Sequence, residues 1–353
     1  MKILVAPDSF KECLPAREVA AAVSQAVRET LPTAQVLEFP LADGGEGTLD
    51  VLCSALGGMV FPAEVSDPLG RPIRARYGVA GHTAIIEIAE ACGLGLLSAD
   101  ERNPLLTSTK GVGELLLAAA GHGCTHYLIG LGGSATCDGG AGMLSVPGLR
   151  ETLSGAGVEV LCDVDNPFVG PSGAARVFGP QKGASARDVE VLEQRMVRQA
   201  GILLQETGTD VSALPGAGAA GGLGGALMAC FHAKAVSGIG KVLDLTGFDH
   251  AVAGAGLIIT GEGRSDRQTL SGKAAFGVLR RSAGVPVALL SGRIEDRAAL
   301  QAAGFAHLVE VSPRDLPLSR ALDAKTARRN LHRAVQNLLQ EAIRPAPSPN
   351  GCS

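Results

Sequence analysis

The stretch MKILVAPDSFKECLPAREVAAAVSQAVRETLPTAQVLEF, residues 1–39, decides the fold class. Ile3–Ala6 is a short apolar run stopped by Pro7-Asp8, which fits a buried strand. Pro15–Thr30 is Ala-rich with apolar residues at helical spacing, and Gln35–Phe39 reads as the next strand. Strand, helix, strand is the opening of an α/β unit. The same order returns near the other end. There Leu257–Thr260, Val285–Leu290 and His307–Val311 read as strands, with helices at Ala274–Arg281, Arg297–Ala303 and Leu322–Ile343. Residues 344–353 carry three prolines and read as a frayed tail.

Between these halves the texture changes. Thr48–Leu56 is helical, but Val60–Ile88 is strand-like and broken by turns at Asp67-Pro68-Leu69-Gly70 and Gly81, which suggests antiparallel pairing. Helices are expected at Gly113–Ala120, Asp188–Gln205 and Gly224–Ala233, and strands at Tyr127–Leu131 and Val158–Leu161. The expected architecture is a flavodoxin- or Rossmann-like parallel-sheet domain, residues 1–60 plus 250–353, interrupted by a large inserted α/β domain over 61–249. Ligands of such sheets sit beyond the carboxyl ends of strands. Asp8, Asp43, Ser134, Asp163 and Glu262 all follow predicted strands.

Composition narrows the function. The chain has 353 residues, 46% hydrophobic, enough for two domains. Its 48 glycines are about twice the usual share and sit between apolar segments, so they belong to folded loops. Aromatics are 3%, Trp is absent, and the formal charge is −4 with no basic stripe, which argues against nucleic acid as a partner. Eight scattered cysteines without a C-x-x-C pair read as reduced thiols in a cytoplasmic protein. The start is interrupted by Pro7 and Asp8 too early for a signal peptide, and no apolar run is long enough for a membrane span.

The loops carry the chemistry. Glycine lets backbone approach a ligand, carboxylates hold Mg²⁺, and lysines neutralise phosphate, so the set points to phosphoryl transfer. Gly132-Gly133-Ser134-Ala135-Thr136 follows a strand and offers amides and two hydroxyls as an anion nest, or it is a plain tight turn. Asp163 and Asp165, two apart, share one face of an extended chain. They hold a cation, accept a substrate proton, or simply bond to turn backbone. Asp43 and Glu46 precede a helix, as caps or as ligand contacts. Lys11, Lys182 and Lys273 each sit in a turn context.

Rival motifs fail on context. Gly216-Ala217-Gly218-Ala219-Ala220-Gly221 matches the dinucleotide fingerprint, but a polar, proline-ended segment stands where a strand is required. It is a phosphate-touching helix entry or tight helix packing, and a dehydrogenase is disfavoured. Gly272-Lys273 lacks the leading glycine and the Ser/Thr of a P-loop. His122 and His126 have no third ligand nearby.

The phrases Ala-Pro-Asp-Ser-Phe-Lys (6–11), Ala-Asp-Gly-Gly-Glu-Gly-Thr (42–48), Gly-Gly-Ser-Ala-Thr (132–136), Asp-Gly-Gly-Ala-Gly-Met (138–143), Cys-Asp-Val-Asp-Asn-Pro (162–167), Phe-Gly-Pro-Gln-Lys-Gly-Ala (178–184), Pro-Gly-Ala-Gly-Ala-Ala-Gly-Gly-Leu-Gly (215–224) and Ile-Thr-Gly-Glu-Gly-Arg (259–264) resemble, in order, those of the type 1 glycerate kinase family. The resemblance implies a two-domain α/β enzyme that phosphorylates D-glycerate from ATP with Mg²⁺, giving 2-phosphoglycerate. The alternatives are a 3-phosphoglycerate product, or a catalytically impaired ligand-binding homologue. The last is motivated by residues 143–158, which are shorter than in the family and could misplace Asp163. Cys137 also stands where the family usually has Asn.

Under this reading Asp163 accepts the substrate hydroxyl proton, and Lys11 and Lys182 share the developing charge. Gly132, Gly133, Ser134, Thr136, Gly218, Gly221 and Lys273 contact the nucleotide. Asp43, Glu46 and Asp165 bind the metal. Asp8, Ser9 and Glu262 border the substrate, and Arg264 pairs with its carboxylate.

Overall fold

The computed structural model describes residues 1–342; the expected tail at 344–353 lies outside the described residues. The chain divides into two compact units. The first joins Met1–Leu41 to the chain from Thr246 onward, and the second spans Ala42–Leu245.

The first unit is a parallel sheet. Its strands β1 (Lys2–Pro7), β2 (Gln35–Glu38), β9 (Ala255–Ser265), β10 (Val287–Ile294) and β11 (His307–Glu310) lie in the order β2-β1-β9-β10-β11. Counted within the unit this is 2-1-3-4-5, the flavodoxin-like doubly wound order. The switch point falls between β1 and β9, which pair from Lys2↔Ala255 to Pro7↔Gly261. Val19, Val23 and Val27 form one stripe of the helix Ala16–Thr30 and are fully buried with Ile3 and Val5 of β1. Leu331, Val335 and Leu338 of the helix Ala324–Ala342 complete that core.

The second unit is a mixed sheet of β3 (Met59–Ser66), β4 (Pro72–Ala80), β5 (Thr83–Glu87), β6 (His126–Gly130), β7 (Gly157–Leu161) and β8 (Lys234–Val236), in chain order. β3, β4 and β5 pair antiparallel, and β5 to β8 pair parallel. The hairpin turn is held by Asp67, whose Oδ1 accepts from the amides of Leu69 and Arg71 at 2.8 Å each.

The division falls earlier than residues 60 and 249. The helix Thr48–Ala55 belongs to the second unit because it packs on β4 so closely that a Cβ at Gly78 would meet Cys53 Sγ at 2.2 Å. The short 143–158 segment does not break the sheet. Met143, Val146, Leu149 and Leu153 all enter the second core. β7 then pairs with β6 from His126↔Gly157 to Gly130↔Leu161, so the strand reaches Asp163 in register.

Candidate active site

In the second unit, the carboxyl ends of β6 and β7 open into a cleft of roughly 240 Å³. Asp43, Gly44, Gly45, Gly132, Gly133, Ser134, Asp163 and Lys182 are among its lining residues. Glycines allow the loops to meet. Gly132 donates to the Gly44 carbonyl at 3.0 Å, and a Cβ at Gly132 would stand 2.4 Å from Gly45 Cα. Gly44 has φ +94°, and a Cβ there would meet the Leu161 carbonyl oxygen at 2.8 Å. These contacts place Asp43 and Ser134 beside the end of β7, where Asp163 stands.

Asp163 sits at the N-terminus of the helix Gly238–Leu245, and both carboxylate oxygens accept from the Gly238 amide at 3.2 Å. A Cβ at Gly238 would be 2.2 Å from the Asp43 carbonyl oxygen, so this helix start is wedged against the Asp43 loop. Burial pushes the Asp163 carboxyl above its ordinary range. Hydrogen bonds from Ser237, Ile239 and Gly238 oppose the rise, and the Asp43 charge adds to it. A carboxylate with a raised proton affinity, open to a cleft, is suited to accept a proton.

Lys182 ends the turn Pro180–Lys182 and is 3% exposed. Its Nζ donates to Ser134 Oγ at 2.8 Å and to the Thr136 carbonyl at 2.6 Å. Burial lowers its pKa from the ordinary lysine value. The ammonium therefore cross-links the Gly132–Thr136 loop and puts positive charge at the cleft wall. Thr136 is fully buried and is not among the lining residues, so its carbonyl serves the loop while its hydroxyl does not reach the cleft.

The other expected residues are placed as follows. Gly218 and Gly221 have no room for a side chain. A Cβ at Gly218 would meet the Pro167 oxygen at 2.2 Å, and one at Gly221 the Thr136 oxygen at 2.0 Å. Ala219 and Ala220 are the members of that loop that line the cleft. Asp43, Glu46 and Asp165 are not gathered around one point. Asp43 lines the cleft, whereas Glu46 and Asp165 are exposed and lie outside its lining. Among the described residues no three His, Cys, Asp or Glu side chains converge as a metal cluster.

Sequence reasoning missed Gln181, Ala219, Ala220 and the helix start Ser237-Gly238. It also missed Glu87, a buried carboxylate that closes β5. An apolar strand ending in an acid was the signal that singled out Asp163, and Ala84-Ile85-Ile86-Glu87 carries it equally.

The first unit gathers a separate group at its switch point. Asp8 donates its amide to the Gly261 carbonyl at 2.9 Å and accepts the Ser9 amide at 2.6 Å. Glu262 is buried, and its Oε1 accepts from Ser265 Oγ at 2.9 Å and Thr269 Oγ1 at 2.5 Å. Lys273 Nζ lies 3.5 Å from its Oε2. Lys11 is exposed, with its backbone near Gly263. Arg264 is exposed and its guanidinium pairs with Glu295 at 2.8 Å. A ligand carboxylate would have to compete with Glu295 for it.

The sequence model of the Glycerate kinase family matches residues 3–152 and 145–342, and the two matches meet in the shortened segment. The chain is 42% identical over 356 aligned residues to a glycerate kinase of Bacillus subtilis (strain 168), covering 92% of this chain and 93% of that protein. It is 41% identical to a glycerate 2-kinase of Escherichia coli (strain K12), covering 84% and 86%. A crystal structure from Salmonella typhimurium LT2 that carries the name glycerate kinase 2 superposes with a TM-score of 0.83 at 39% identity, covering 97% of this chain and 98% of that one.

Proposed function

The chain belongs to the glycerate kinase family, and from that premise we propose that it is an ATP-dependent D-glycerate kinase whose product is 2-phosphoglycerate. The observation that carries the reading is the cleft itself. Asp163 faces a Gly-rich loop whose serine is held by a buried lysine. Phosphoryl transfer asks for positioning, charge neutralisation and a group that orients the nucleophile, more than for covalent chemistry.

Placement supports the following roles. Asp163 accepts the proton of the attacking hydroxyl. The amides of Gly133 and Ser134 face phosphate oxygens, with Gly132 closing the loop onto Gly44 and Lys182 supplying charge behind it. Two carboxylates, Asp43 and Asp163, lie close enough that the charge of one raises the proton affinity of the other. Such a donor set fits a hard divalent ion, and Mg²⁺ is commonly held by one or two carboxylates and the phosphates themselves. Asp43 is the residue that would hold it, and the ion would neutralise phosphate charge. The Asp8, Ser9 and Glu262 loops of the first unit are assigned to substrate, with Arg264 as the carboxylate partner.

Release of ADP, followed with D-glycerate or L-glycerate and with or without Mg²⁺, tests this. Turnover should require the D isomer and the metal. Absence of ADP release from folded protein with D-glycerate and Mg²⁺ refutes the reading.

A further inference from the structure

Glu87 is 5% exposed and is not among the residues that line the cleft. Its Oε2 accepts from the amides of Gly47 and Leu49, both at 3.1 Å. Gly47 is the N-cap of the helix Thr48–Ala55 and has no side chain with which to cap it. The first amides of a helix lack intrahelical partners and need an acceptor. Here the acceptor comes from another element, the end of β5. The same Glu87 pairs in register with Gly130 of β6, and a Cβ at Gly130 would stand 2.6 Å from the Gly44 carbonyl oxygen. One residue therefore pins the far end of the Asp43–Gly47 loop by hydrogen bonds. Its strand partner abuts the near end.

We propose that Glu87 is a positioning residue for the kinase site, fixing the Asp43–Gly47 loop and through it the Asp43 carboxylate. The inference rests on the function proposed above for that cleft. The charged groups that face Glu87 are Asp50 on the helix Thr48–Ala55 and Glu90 on the helix Ala89–Cys92. Arg76 of β4 bridges those two, at 2.6 Å to Glu90 and 3.2 Å to Asp50. Burial raises the Glu87 carboxyl to about 7, the Asp50 and Glu90 charges add to this, and the two amides oppose it. The ionised form is the stronger acceptor. The loop is thus held most firmly above that pH and is released as pH falls through it.

The test compares wild type, Glu87→Gln and Glu87→Ala. It measures kcat and KM for D-glycerate across the neutral range, amide hydrogen exchange of residues 43–49, and thermal unfolding. Glu87→Gln keeps the shape and an acceptor but cannot ionise. It should melt within a few degrees of wild type and exchange faster at residues 44–49. Its kcat should fall about tenfold above neutral pH with KM changed less than about twofold, as loop misplacement does. The part of the wild-type profile that titrates near pH 7 should vanish. Faster exchange with unchanged kcat and profile would make Glu87 a helix cap only and overturn the proposal. Lower kcat with unchanged exchange overturns it equally. If wild type does not phosphorylate glycerate, the proposed function fails. Exchange then decides alone: faster in Glu87→Gln supports the positioning role, and unchanged exchange refutes it.

Discussion

Lys182→Met separates what the buried ammonium does for stability from what it does for activity. The substitution keeps most of the volume and removes the charge. It strips Ser134 Oγ and the Thr136 carbonyl of their donor, which the structure places at 2.8 and 2.6 Å. A buried acceptor left unpaired costs about 1–3 kcal/mol. Two such losses are offset by relief of the ammonium's own desolvation, which is several kcal/mol for a buried ion. The terms oppose, so net stability should change by no more than about 2 kcal/mol. Activity has no such offset. Loss of a preorganised charge or donor facing a reacting oxyanion costs about 10²–10³ in rate.

Denaturant unfolding and kcat/KM for ATP read the two effects on the same protein. The sign of the pH effect follows from burial, which holds the folded-state pKa of Lys182 below the ordinary 10.5. Between those values the unfolded chain binds more protons, so wild-type stability should rise with pH while kcat falls. Lys182→Met should lack both slopes. A variant that retains kcat/KM within about threefold of wild type would refute the catalytic reasoning. One destabilised by more than about 4 kcal/mol would refute the balance of terms.

Asp163→Asn should lower kcat by about 10²–10⁴ with little change in ATP binding, and should abolish the acidic limb that the raised Asp163 carboxyl gives the rate profile. A near-normal kcat measured by steady-state kinetics removes Asp163 as the base. Gly44→Ala forces a side chain into φ +94° and into contact with Leu161. It should cost about 1–2 kcal/mol for the left-handed backbone alone, read by thermal unfolding, with loss of activity as the Asp43 loop shifts. Unchanged activity would show that the loop geometry is not needed. Arg264→Ala should raise KM for glycerate about tenfold without changing the melting temperature, whereas Glu295→Ala, which frees the guanidinium, should not raise it. An unchanged KM in Arg264→Ala assigns the arginine to its surface pair with Glu295 alone.

The local elements were legible because each carries its own period. Val19, Val23 and Val27 announce a helix, and Ile3–Ala6 a buried strand, without help from the rest of the chain. What escaped was non-local. Lys234–Val236 is three residues long and shows no periodicity, yet as β8 it delivers Ser237 and Gly238 to Asp163. The first-unit boundary was misplaced because Asp43–Ala55 reads as a continuing α/β unit, and only the packing of Cys53 on Gly78 assigns it elsewhere. The pairing of Arg264 with Glu295 is not legible in the sequence because the two stand 31 residues apart. The reason that Gly218 and Gly221 must be glycine is hidden in the same way. The Pro167 and Thr136 oxygens that leave no room for a Cβ there come from distant parts of the chain. Ser134 and Asp163 stand out in the sequence because loop chemistry follows strand ends, a rule that needs no tertiary knowledge.

The central claim is that this cleft phosphorylates D-glycerate at its 2-hydroxyl. The most direct test is ³¹P NMR of the wild-type protein with ATP, Mg²⁺ and D-glycerate, followed until ATP is consumed. The expected result is ADP together with a monoester resonance split by the single proton on the phosphorylated carbon, as 2-phosphoglycerate requires. A resonance split by two protons would place the phosphate on the 3-hydroxyl and contradict the assigned product. An unchanged ATP spectrum would contradict the kinase reading itself.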